Sequence, residues 1–316
     1  MRQYIIRRLA YGLLVLWGLS LIVFVLMRLL PGDAVLLLLG EDASVSPEKV
    51  AKVRAQLGLD KPIHEQYVRW MGGVVRGDFG RSLQTGGPVL PRLLGRLPVT
   101  LELMLLAMIL GALISLPVGV FSAVRQDSAW DNILRFTSIT ILAMPAFWIG
   151  TMLLVFPSIW FRWAPPLGFT EFFRDPRANL IQVMWPVSVL GTHLAVALMR
   201  MIRSSMLEVM RQDYIRTARA KGLIETMVIS RHALKNAMIP VVTLAGGNVG
   251  RLLGGTVILE VIFSIPGIGR LFLEAVNQRD YTQVQVIMLF YGVVFFTVNL
   301  LVDLTYAWFD PRIRYH

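Results

Sequence analysis

Six long apolar stretches constrain this chain more than any other feature: Leu9–Leu30, Val99–Val124, Phe136–Phe161, Asn179–Met199, Met238–Ile262 and Val284–Trp308. A helix rises about 1.5 Å per residue, so about 20 apolar residues cross about 30 Å of hydrocarbon. Four of the stretches hold runs free of Asp, Glu, Lys and Arg: Leu9–Met27, Phe136–Phe161, Ala178–Met199 and Tyr281–Val302. The other two carry the internal charges Glu102 and Arg251. With 55% hydrophobic and 16% charged residues, a water-soluble domain has no room to hide this much apolar surface, and a bilayer does. The expected fold class is an all-α integral membrane protein with six transmembrane helices. The basic start Met1–Arg8 resembles that of a signal peptide, but the apolar run after it exceeds what a cleaved signal needs and no small-residue cleavage site follows. It reads as an uncleaved first span.

Charge then orients the spans. With both termini in the cytosol, the inner segments hold fifteen basic residues and the two short outer loops hold five: Arg162, Arg174, Arg177, Arg270 and Arg279. Cytosolic loops carry that excess as a rule. The net charge of +11 is mostly this topology signal, and no basic groove interleaved with aromatics points to nucleic acid.

The outer segment, residues 31–98, is the one sizeable part outside the spans. Ser46-Pro47 opens a helix, Gly58 closes it, and Ile63–Val75 offers a second. That suffices for a small helical cap, so the whole chain, 1–316, reads as a single membrane domain.

Chemistry is largely missing. No G-x-x-x-x-G-K-[ST] loop is present to cradle a nucleotide. His64-Glu65 begins a zinc-protease pattern that Val68 ends, four histidines form no metal spacing, and there is no cysteine. No catalytic, cofactor or metal site is expected.

The loop 200–236 stands out instead. Ser205–Lys221 reads as an amphipathic helix with Leu207, Met210, Tyr214 and Ala218 on one face and Arg211, Arg216, Arg219 and Lys221 elsewhere. Gly222 suits a left-handed helix stop, and a second helical stretch, Glu225–Ala237, leads to Pro240. Such a loop is either a docking element or a basic juxtamembrane segment that sets topology and meets anionic lipid.

Within or at the ends of the spans lie Glu102, His193, Asn248, Arg251, Glu260, Asn299 and Asp303. Arg251, near the middle of its span, either faces an aqueous pathway or pairs with Glu260 or Glu102. Small residues recur every fourth position in Ala107-Gly111-Ser115-Gly119 and in Gly246-Gly250-Gly254. Each stripe marks a close helix seam or room for a solute path. Pro117, Pro145, Pro157 and Pro186 are expected to kink their spans.

Taken together, Tyr214-Ile215-Arg216-Thr217-Ala218-Arg219-Ala220-Lys221-Gly222-Leu223 and Arg231–Val242 closely resemble the signature loop of ABC-importer permeases. More narrowly, they resemble the first of the two permeases in bacterial dipeptide and oligopeptide uptake systems. Leu30-Pro-Gly-Asp33, Gln56–Pro62, Phe263–Arg270 and Asp310–Arg314 fit as well, so the resemblance spans the chain. The general signature is E-A-A-x-x-x-G. Here Arg216 stands at the Glu position and Thr217 at the first Ala, departures that the peptide-type permeases share.

The resemblance implies a type I importer permease fold in a bacterial inner membrane. It also implies a coupling loop that fits a cleft on one of two cytosolic ATPase subunits, a second homologous permease completing the pathway, and an extracytoplasmic substrate-binding protein. Peptides are the implied solute. Glutathione, a nickel chelate or another small solute handled by the same machinery is the alternative. A secondary transporter is the rival class, and it would carry its own coupling-ion site in broken helices, often within repeated halves that this sequence does not show.

Overall fold

In the computed structural model, residues 2–29, 34–39, 47–56 and 58–309 are described. Helices follow one another as α1 (Arg2–Leu29), α2 (Ala34–Leu39), α3 (Pro47–Gln56), α4 (Ile63–Val75), α5 (Val89–Val124), α6 (Ala129–Ala143), α7 (Ala146–Phe161) and α8 (Pro176–Met210). After these come α9 (Asp213–Ala220), α10 (Glu225–Met227), a π-helical segment (Val228–Ala233), α11 (Leu234–Ile262), α12 (Ile268–Asn277) and α13 (Tyr281–Phe309). Five helices are long and apolar enough to cross a membrane singly, within α1, α5, α8, α10–α11 and α13.

The third expected span, Phe136–Phe161, is not one helix. It is the pair α6 and α7, bent by 93° between them, and the count reaches six only if this pair is one span. The break falls at Met144-Pro145, where Met144 takes an extended conformation. Proline disfavours the helical region for the residue before it. Pro117, Pro157 and Pro186 remain inside continuous helices. What distinguishes Pro145 is a partner: His193 of α8 places Nε2 3.1 Å from the Met144 carbonyl, one of the acceptors a helix end leaves unsatisfied.

The chain divides into two compact units, one from residues 1–98 and 267–297, the other from 99–266 and, among the described residues, 298–309. In the first, Val89 and Leu93 of α5 pack with Ile268 and Leu271 of α12 and Val286 and Ile287 of α13. Val23 and Met27 of α1 join Ala275 and Val284. Burying side chains of this size contributes about 1.5–3 kcal/mol each where water is the alternative. The expected outer helices appear as α3 and α4, with Gly58 at φ +67° ending α3. Ser46, Leu30–Asp33, Asp310–Arg314 and the side chain of Asp303 lie outside the described residues.

In the second unit, α8 is the centre, packed by α5, α6, α7 and α11. The stripe Ala107-Gly111-Ser115-Gly119 is buried. A Cβ on Gly111 would stand 3.0 Å from Leu194, and one on Gly119 2.8 Å from Ile202. That stripe is a close helix seam, as small residues permit. The glycines of α11 divide, since a Cβ on Gly255 would stand 3.2 Å from Leu190 of α8. A Cβ on Gly247 or Gly254 would meet nothing within 4 Å. Gly254, the last glycine of the stripe Gly246-Gly250-Gly254, thus faces open space, while Gly246 and Gly250 are half-buried.

Candidate functional site

The segment after α8 is built to project. α8 ends at Met210, and the Arg211 and Gln212 amides donate back to Glu208 and Val209 carbonyls at 3.3 and 3.1 Å. Gln212 then turns extended, so the expected single helix over Ser205–Lys221 is two, the end of α8 and the separate α9. The break resets the faces. Ile215 (0% exposed) and Ala218 (7%) point inward, whereas Tyr214 is 43% exposed. Continuing the α8 face through Tyr214 was wrong because the turn rotates α9 relative to α8.

Past α9 the chain reverses on Gly222. Its φ is +78°, its amide donates to the Arg219 carbonyl at 2.9 Å, and the Leu223 amide reaches the Ala218 carbonyl at 3.4 Å. This is the left-handed helix stop expected of a glycine there. The expected helix Glu225–Ala237 is present but mixed, α10 passing into the π-helical Val228–Ala233 and then α11. Val228 and Ala233 are fully buried and complete the inner face under Ile215 and Ala218.

Three polar links set the outer surface. Arg219 donates to both oxygens of Glu225 at 3.1 and 2.6 Å, bracing α9 against α10 across the turn. Asn236 Nδ2 donates to the Tyr214 hydroxyl at 2.8 Å. Arg216 and Asp213 make an exposed pair at 3.6 Å, worth little in water. Thr217, Ala220, Lys221, Gly222 and Ile224 are exposed, and Leu223 is half-buried. Ile224, 68% exposed, stands as an apolar knob among these basic residues. The sequence reading named Ile215 but not its inward face, and it missed Ile224 and the Arg219–Glu225 brace. An acidic residue just beyond the glycine stop was the available signal for the brace.

Arg203, one of the basic residues of loop 200–236, does more than set topology. It donates to both oxygens of the buried Asp131 at 2.8 and 2.6 Å, and Ser122 and the Asp127 amide also donate to that carboxylate. The cytosolic-loop end of α8 is thereby fixed to the start of α6, so α9 leaves from an anchored base.

The remaining candidates separate. Glu260 is buried and accepts from Thr100 at 2.9 Å, nine residues and therefore about half a turn away in phase from Arg251. Glu102 lies against Asn179. Its Oε1 and the Asn179 Oδ1 are both buried and unbonded. Arg251 thus pairs with neither carboxylate. It is exposed on α11, on one face with Gly247, Gly254, Ile258 and Val261. Gly246 and Gly250 are half-buried beside that face. Asn248 is buried and donates to the Leu244 carbonyl at 2.7 Å. The structure therefore brings residues 214–223 into one projecting element and leaves Arg251 on a separate open helix face.

The model of the family described as "Binding-protein-dependent transport system inner membrane component" matches residues 115–315, and the model of its N-terminal region matches residues 1–104. The dipeptide transport system permease protein DppB of Escherichia coli K12 is 41% identical over 341 aligned positions, covering 100% of this chain and 99% of that protein. The oligopeptide transport system permease protein AppB of Bacillus subtilis is 40% identical, with both chains covered in full. Among solved structures, an amino acid ABC transporter superposes with TM-score 0.53 at 18% identity, covering 68% of this chain and 93% of that one. The MetNI methionine ABC transporter, in an inward-facing form, gives 0.54 at 16% identity, covering 67% and 93%. The fold is that of type I ABC importer permeases. A multi-pass helical chain with these matches along its length belongs to the family of inner-membrane components of binding-protein-dependent transport systems.

Proposed function

We propose that this chain is a permease subunit of an ATP-driven peptide importer, a single membrane domain forming half of the translocation pathway. A second homologous permease supplies the other half. Two cytosolic ATPase subunits drive the cycle, and an extracytoplasmic binding protein delivers di- or oligopeptides. Both termini are cytoplasmic, and residues 200–236 are cytosolic, as their basic residues favour.

The observation that carries this reading is the projecting element of α9, Gly222 and α10. It buries Ile215, Ala218 and Val228 against its own chain and offers Thr217, Ala220, Lys221 and Ile224 outward. An exposed apolar knob ringed by fixed charges suits a protein cleft better than a lipid headgroup layer, because interfaces centre on a desolvated anchor. ATP-driven closure of the ATPase dimer would move this element, and the anchored base at Arg203–Asp131 would pass that motion to α8 and α6. The open face of α11 is the part of this chain assigned to the pathway.

The test is assembly. Co-expression with the neighbouring ATPase and permease genes yields a stable complex that hydrolyses ATP when the binding protein is loaded. The single purified chain hydrolyses none. Hydrolysis by the isolated chain, or solute accumulation under an ion gradient without partners, would overturn the proposal.

A further inference from the structure

Two arginines lie inside the expected spans, and the structure treats them differently. Arg28 donates to Gln66 Oε1 from both Nε and Nη2, at 3.0 and 2.8 Å, and lies over the Phe24 ring. Arg251 has no such partner. It stands midway between Pro240 and Ile262, exposed, with no ion pair among the described residues. Neither carboxylate neutralises it, since Glu260 accepts from Thr100 on the opposite side of α11 and Glu102 lies against Asn179.

An arginine in this position does not face hydrocarbon at equilibrium, since a charge at the bilayer centre is strongly disfavoured. The face it occupies therefore meets water or an anion. The residues one turn to either side, Gly247 and Gly254, leave open space where side chains would stand. The guanidinium is thus approachable down to the helix backbone. Its planar fork of donors matches a carboxylate in two parallel hydrogen bonds, a geometry an ammonium does not reproduce.

We propose that Arg251 is a recognition site for the carboxylate of the transported solute, which for a peptide is its C-terminal carboxylate. This rests on the peptide-importer reading above. It adds that the permease itself, and not the binding protein alone, selects for a free C-terminus. Within the pathway the contact is transient, since a solute held too firmly would not leave.

The experiment uses the assembled complex in vesicles with binding protein saturated by either a free-acid dipeptide or the same dipeptide as its C-terminal amide. Arg251→Gln lowers uptake of the free acid about tenfold or more and leaves uptake of the amide within about twofold of wild type, while Arg251→Lys keeps an intermediate rate for the free acid. Because the chain has no cysteine, Arg251→Cys gives a unique thiol. It reacts with a water-borne anionic thiol reagent in the complex, and free-acid substrate slows that reaction. Equal losses for acid and amide, with the thiol protected throughout, show an ion pair with the second permease and overturn the assignment. Unchanged uptake in Arg251→Gln also overturns it. Failure of the wild-type complex to import either dipeptide is a different outcome, which removes the peptide reading and this assignment with it.

Discussion

Gly222 sits at φ +78° with nothing within 4 Å of where a Cβ would stand, so its constraint is in the backbone and not in crowding. An L-residue there costs about 1–2 kcal/mol. Relieving that strain reorients Leu223 and Ile224 relative to α9. Gly222→Val therefore leaves the transmembrane helices folded and weakens ATPase docking. At about 1.4 kcal/mol per decade the loss is roughly tenfold, read as ATPase co-purified and solute imported at equal membrane expression. Ala218→Asp acts by a different route, since position 218 is buried and the new carboxylate is desolvated against the inner face of α9. Wild-type uptake with ATPase retained in both variants would show that residues 214–223 are only a basic topogenic loop. The same scale explains Asp131, whose buried carboxylate receives four donors from Arg203, Ser122 and the Asp127 amide. Removing one member of such a cluster strands the others, a cost of about 3–5 kcal/mol.

Among elements, glycines of the two small-residue stripes meet different surroundings, Gly111 and Gly119 crowded and Gly254 open. α5 brings Gly111 and Gly119 against Leu194 and Ile202 of α8, and α8 brings Gly191 against Leu110 at 2.9 Å. Backbones that close leave no room for a side chain. Gly119→Leu would drive its Cβ to 2.8 Å from Ile202 and 3.0 Å from the Met199 carbonyl, a backbone atom that does not yield. Overpacking of this kind costs about 1–3 kcal/mol. A lower unfolding temperature in detergent is expected for that variant, while Gly254→Ala, into open space, matches or exceeds wild type. Equal melting of Gly119→Leu and wild type would count against the α5–α8 seam. The α6–α7 elbow belongs here as well. α7 is apolar on nearly every side yet buries only Gly150, whose Cβ would lie 2.8 Å from Leu259 of α11.

For the whole molecule, the family assignment and the charge bias together fix an expected orientation. Reporter fusions after Arg203 and at His316 should read as cytosolic, and fusions at Gly58 and Arg174 as external. A cytosolic Gly58 would remove the outer cap from the side where a binding protein delivers solute, and would invert the proposed sense of transport.

The sequence alone determined the medium, the helical class, the approximate spans and the place of the basic loop 200–236. These follow from local rules: run length against bilayer thickness, charge bias across loops, and the left-handed tolerance of glycine at 222. Tertiary structure decided what depends on a partner. Of the four prolines expected to kink their spans, Pro145 alone accompanies a break, where the His193 ring meets the freed Met144 carbonyl. Gly111 and Gly119 of α5 close on α8, whereas Gly254 of α11 faces open space. Arg28 found Gln66 on a helix 38 residues away, and Arg203 found Asp131 72 residues back, while Arg251 found no carboxylate among the described residues. Hydropathy and periodicity describe a helix in its medium, whereas the identity of the atoms across from a side chain is set by packing between segments distant in the chain.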